Sequence, residues 1–138
     1  MLLIALNAVV LYCAGQSLPV PAEVTDSFAR MFPAAKNVEW RNKVDNYLAF
    51  FKMGDEKCEA KFGKTGGWIS TEAPIQWDSL PAVIRGELSS DGYADWTKTG
   101  FYILRLPGGV NQYHIALTRS DVGRKILFFD QEGQLLRH

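Results

Sequence analysis

Two histidines and two cysteines in 138 residues leave little room for chemistry that depends on either side chain. A disulfide framework needs more than Cys13 and Cys58, and once a leader containing Cys13 is removed, Cys58 has no partner inside the chain. Neither sign of charge is in excess, with 15 basic residues against 15 acidic ones and a pI near 6.7. That removes the usual electrostatic argument for nucleic acid or an anionic membrane as partner. The patterns His-Glu-x-x-His, Cys-x-x-Cys and Gly-x-Ser-x-Gly do not occur, nor does a phosphate-cradling glycine loop. Acyl transfer needs a nucleophile, a base and an orienting acid. The only bases of that kind are His138, the last residue, and His114, which reads as a solvated strand residue beside Gln112 and Ala116. Asp130-Gln131-Glu132-Gly133 begins like a calcium loop, but too few oxygen ligands follow it, and a hairpin turn is expected. The reading is therefore of a chain that is not an enzyme and holds no cofactor or metal.

What is present is enough apolar material for one packed domain: 47% hydrophobic and 12% aromatic residues. Met1 to Gly15 carries no charge and has apolar runs at Leu2–Ile4 and Val9–Leu11. Such a segment is too short to span a bilayer comfortably. It matches the hydrophobic part of a signal peptide, with small residues Ala14 and Gly15 at the cleavage point. A basic beginning is missing, and Tyr12 stands where lipid attachment at Cys13 would want Gly, Ala or Ser. A buried first strand or helix is the competing reading. The expectation is a leader at 1–15, a mature domain at 16–138, a periplasmic or secreted location, and no membrane span once the leader is gone.

After Pro19, Pro21 suits the first turn of a helix, and Val24, Phe28, Met31 and Phe32 recur at helical spacing until Pro33. Asn37–Lys43 alternates next, with Val38 and Trp40 on one face. Strands follow at Tyr47–Met53, at Lys57–Phe62, where Cys58, Ala60 and Phe62 share a face, and at Trp68–Thr71. Turns of two to five residues join them, which predicts an antiparallel meander. After a linker at Ala73–Trp77 the order recurs. Leu80, Ile84 and Leu88 mark a second helix, a long extended run reaches Leu106, and strands follow at Asn111–Thr118, Lys125–Phe129 and Leu135–Leu136. The segment from Phe62 through Gly66 to Trp68 answers that from Phe129 through Gly133 to Leu135. Two αββββ units, about 20–73 and 78–137, are expected, which makes the fold class α+β.

Val20-Pro21-Ala22 opening a helix that ends Met31-Phe32-Pro33, then Asn37-Val38-Glu39-Trp40, resembles the β-lactamase-inhibitor-like, PepSY-like family of secreted bacterial proteins. Leu80-Pro81-Ala82, Gly92-Tyr93 and Phe129-Asp130 with Gly133 extend the resemblance to about Val20–Leu136. It implies two repeats sharing one antiparallel sheet of about eight strands, with both helices on one face. The similar β-lactamase inhibitor protein binds its enzyme with the open, concave face of such a sheet. The resemblance transfers no functional residue.

Positions on the open side of that sheet are expected to be charged. Here Leu48 and Phe50 fall out of phase with Tyr47, Ala49 and Phe51, and Phe101, Ile103, Ile126 and Phe128 are assigned to the same open side. With Arg105 and His114 they form the candidate binding face, since contiguous exposed apolar surface marks interaction sites. A slip of one residue in phase would flip every one of these side chains. Trp40 and Trp68 are read as core, Trp77 and Trp96 as the more exposed tryptophans. The leading reading is an exported module that holds a protein partner on this face, as an inhibitor of an enzyme or peptidase. Two others stand beside it: a small-ligand or hydrolytic site between sheet and linker near Trp77 and His114, and a structural envelope protein that self-associates.

Overall fold

The computed structural model describes residues 19–137; the expected leader at 1–15, Cys13 within it, and His138 lie outside them. The elements run α1 (Ala22–Met31), β1 (Lys36–Asn42), β2 (Asn46–Met53), β3 (Glu56–Gly63), β4 (Trp68–Pro74), α2 (Ala82–Leu88), β5 (Thr97–Leu106), β6 (Val110–Arg119), β7 (Gly123–Asp130) and β8 (Leu135–Arg137). The eight strands form one antiparallel sheet whose spatial order equals the chain order.

Pro21 caps α1 from outside, and its carbonyl accepts from the Val24 and Thr25 N–H groups. Glu23 in the first turn and Arg30 in the last oppose the helix dipole with the favourable sign. Phe32 N–H closes on the Phe28 carbonyl before Pro33 ends the helix. The buried stripe is Val24 and Phe28, whereas Met31 is 41% exposed. Phe28 sits among four aromatic rings: Phe32 and Trp40 at 5.3 Å, Phe51 at 5.0 Å and Phe62 at 6.2 Å between centroids. Tilted and edge-on pairs of this kind add about 0.5–1.5 kcal/mol each beyond area burial. The second half is packed with aliphatic residues instead. Ile84 and Leu88 of α2 join Ile115, Leu117, Leu127 and Phe129, all at most 1% exposed. Both helices thus feed one core on one side of the sheet.

Two glycines fasten the helices to the last hairpin of each half. Gly66, in the β3–β4 turn, has φ +92°, and a Cβ there would lie 2.5 Å from the Glu23 carbonyl oxygen. Gly133, in the β7–β8 turn, has φ +86°, and its Cβ would lie 2.7 Å from a Val83 methyl. Glu23 and Val83 are each the second residue of their helix. The two turns also share a hydrogen-bond pattern: Gly66 N–H donates to Gly63 O and Gly63 N–H to Gly67 O, while Gly133 N–H donates to Asp130 O and Asp130 N–H to Gln134 O. The Asp130 carboxylate accepts from the Glu132 and Gln134 amides at 3.0 and 2.8 Å, a hairpin turn as expected from the sequence.

Candidate functional site

Register decides which side chains share the face away from the helices. Ala49 and Phe51 lie in the core, so Leu48 and Phe50 point the other way. In the second half, Phe101 pairs with Ile115 and Ile115 with Leu127, and Ile103 pairs with Tyr113 and Tyr113 with Phe129. Ile115, Tyr113, Leu127 and Phe129 are core residues, which puts Phe101 and Ile103 on the helix side as well. Arg105 follows in the same phase and contributes a favourable charge near the Cys58 thiol, which also belongs to the helix-side core. The assignment of Phe101, Ile103 and Arg105 to the open face is therefore corrected. Their places are taken by Tyr102 and Leu104, in register with His114 and Gln112. His114, Ile126 and Phe128 do lie on the helix-free face, as do Leu48 and Phe50. Leu48 is only 9% exposed there, between Arg41 and Lys61 in its cross-strand row, while Ile126 is 50% exposed.

One row crosses nearly the whole sheet: Glu39, Phe50, Glu59, Glu72, Leu104, Gln112 and Asp130. Its centre sets two carboxylates directly opposite each other, an unfavourable pairing in a sheet. Burial, and behind it the Glu72 charge, pushes the Glu59 carboxyl above its ordinary range, while Lys61, Arg41 and Lys43 pull it back less strongly. Among the described residues Glu59 makes no ion pair or side-chain hydrogen bond. Glu72 meets His114 Nδ1 at 3.1 Å. An acceptor at Nδ1 fixes the imidazole proton there, and Nε2, shut off from solvent, has no hydrogen-bond partner. The Phe128 ring stands edge-on to the imidazole at 4.4 Å. At the β1 side, the Arg41 guanidinium rests 4.6 Å above Phe50.

These groups do not assemble a hydrolytic triad. Ser70 is a buried hydroxyl on this face, but it sits two residues from Glu72 in the direction away from His114. Nor do Trp77 and His114, among the described residues, line a common site. Trp77 packs on Phe101 at 5.5 Å on the helix side, with the sheet between it and His114. Trp77 and Trp96, expected to be the more exposed tryptophans, are both half-buried against the core, and Arg119 lies 5.0 Å over the Trp96 ring. A cavity of about 710 Å³ opens beside the β1 bulge, lined by Val38, Phe50, Lys52 and Lys57 among others. A second, of about 350 Å³, lies on the helix-free face by Tyr102, Ala116, Arg124 and Ile126. There Tyr102 folds back over Gly100, where a Cβ would meet the ring at 2.7 Å. No group of three metal-binding side chains exists among the described residues.

Sequence reading missed Glu59 and Glu72. The strict alternation of β3 already set Glu59 opposite Cys58, Ala60 and Phe62; the facing of the two carboxylates needed the β3–β4 register.

No protein-family model and no curated protein matches the chain. Solved structures do. A DUF2874 family protein from Bacteroides ovatus superposes with a TM-score of 0.77 at 24% identity, over 87% of this chain and 86% of that one. A candidate periplasmic protein from Bacteroides eggerthii gives 0.79 at 18% identity, over 87% and 88%. A BLIP-like protein from Bacteroides fragilis gives 0.73 at 21%, over 87% and 85%. At such identities the likeness carries the fold: a BLIP-like α+β arrangement of one eight-stranded antiparallel sheet with two helices on one side. Among the described residues no helix is long and apolar enough to cross a membrane.

Proposed function

We propose that the chain is an exported, non-enzymatic binding module that holds a protein partner against the helix-free face of its sheet. One observation carries the reading. Phe50, Tyr102, Leu104 and Ile126 present apolar surface around a polar centre, and no helix or strand among the described residues lies over them. Exposed apolar side chains gathered on one uncovered face mark an interaction site, and here they flank a charged centre. The shared fold with a BLIP-like protein supports an inhibitory role toward an enzyme. The candidate periplasmic neighbour supports export, together with the leader expected at 1–15. Kinship with PepSY-like domains, and descent of the two halves from one αββββ unit, belong to the same proposal.

The test is capture of the partner from an envelope extract with the wild-type chain and with Phe50→Glu plus Ile126→Glu. Both substitutions lie outside the helix-side core, so the double variant is expected to fold, which circular dichroism of the purified protein checks. A soluble 1:1 complex formed by the wild type and lost in the double variant is expected. Unchanged capture by the double variant refutes the face. A dimer in sedimentation that the double variant turns into monomer would favour self-association instead.

A further inference from the structure

We infer that the partner seats a single cationic side chain, with arginine the best match, against Glu59 and Glu72, between apolar contacts to Phe50 and Leu104. The inference rests on the proposed docking face and names the chemistry of its occupant. Phe50, Glu59, Glu72 and Leu104 are successive cross-strand partners on β2, β3, β4 and β5. With strands about 4.8 Å apart the row is about 14 Å long and reads apolar, acid, acid, apolar. That is the footprint of one charged residue with an apolar neighbour on each side, carried on a loop or extended segment of another protein.

The polar groups at its centre want donors. Two carboxylates accept only, and Glu59 is half-buried with nothing bound to it. Leaving two facing carboxylates in this state costs the free protein stability, through repulsion and lost hydration. A guanidinium removes both costs at once, because it offers five N–H donors in a planar fork and no acceptor. The chain already lays one such group over the end of this row: Arg41, from the neighbouring Leu48 row, stacks over Phe50 at 4.6 Å from the β1 side. Lys57 and Lys61 stand two residues to either side of Glu59 on β3 and form no ion pair with it. They would repel a run of positive charges, so the geometry selects one cation among apolar groups over a polybasic tail.

The test uses the isotope-labelled full chain, observed by NMR during titration with the capped tripeptide acetyl-Leu-Arg-Phe-amide and with its isosteric, uncharged citrulline counterpart. The arginine peptide is expected to shift amides around Glu59, Glu72 and Leu104, and the citrulline peptide to bind at least about tenfold more weakly. Glu59→Gln, which breaks no contact in the free chain, is expected to erase the difference between the two peptides while the protein stays folded. Phe50→Ala, which removes the apolar contact and adds no charge, is expected to weaken both peptides. Equal binding of both peptides on this face removes the cation and leaves the docking face standing. Shifts confined to another surface remove both. Absence of shifts with the arginine peptide up to about 5 mM, a free energy near −3 kcal/mol on the affinity scale, overturns the inference.

Discussion

Replacing Gly66 with alanine tests whether the last hairpin of the first half locates α1. Two costs add. An L-residue with φ near +92° is strained, by about 1–2 kcal/mol. The new Cβ would also lie 2.5 Å from the Glu23 carbonyl oxygen and 2.9 Å from its carbon. Those are backbone atoms at a helix start, which cannot rotate aside; relief requires moving α1 or the turn, and overpacking of this kind costs about 1–3 kcal/mol. The sum is about 3 kcal/mol, or a fall in Tm on the order of 10 °C for a domain of this size. Gly54 is the control, with φ +60° and nothing within 4 Å of a built Cβ. Gly54→Ala therefore bears the backbone cost alone, about 1 kcal/mol. Gly133→Ala falls between, because the Val83 methyl it meets at 2.7 Å can rotate into solvent, whereas the Val83 Cβ at 2.9 Å cannot and forces a small shift. Urea and thermal unfolding of the three variants under one condition give the order directly. If Gly66→Ala costs no more than Gly54→Ala, the close approach of turn to helix is not what holds α1 in place.

Burial and the Glu72 charge hold Glu59 above the ordinary glutamate value, so the folded chain binds that proton more tightly than the unfolded chain does. Stability attributable to Glu59 therefore falls as pH rises from the ordinary value through the raised one, and stays lower above it. The urea midpoint at about pH 7 minus that at about pH 4 should be more positive in Glu59→Gln than in the wild type, and an identical difference would refute the assignment. Cys58 is 7% exposed, and burial followed by the Glu56 charge pushes its thiol upward. Its alkylation by iodoacetamide, followed by mass spectrometry of the peptide that contains it, should be slow in the native state and fast in urea. Rapid native labelling would contradict the burial.

Much of the fold could be read along the chain because several elements carry an unambiguous period. In β3, Cys58, Ala60 and Phe62 alternate strictly with Lys57, Glu59 and Lys61, and the buried set is the apolar one. In α1, Val24 and Phe28 lie one turn apart and both are buried. β5 offers no such contrast. Phe101-Tyr102-Ile103-Leu104 is apolar at every position, so nothing local says which pair faces the helices. The neighbouring strand decides: Tyr113 and Ile115 are core, and they pair with Ile103 and Phe101. A register shift between Lys98 and Gly100 further separates the phase of Trp96 and Thr97 from that of the strand body. Trp77 and Trp96, expected to be the more exposed tryptophans, are half-buried against the core as Trp40 and Trp68 are. Trp77 packs on Phe101, covering sheet area that the short α2 leaves open. The candidate site was legible where β2 alternates, at Leu48 and Phe50. It was illegible where it depends on a bulge, as in the facing of Glu59 and Glu72 beyond the shift at Lys61 and Phe62.

Because strand order equals chain order, each strand pairs with the one just before it in the chain, and no strand waits for a distant one, the situation associated with rapid folding. The contact between Glu72 and His114 departs from that locality: it reaches from β4 past β5 to β6, across the α2 connection, and so works as a stitch between the first half of the chain and the second.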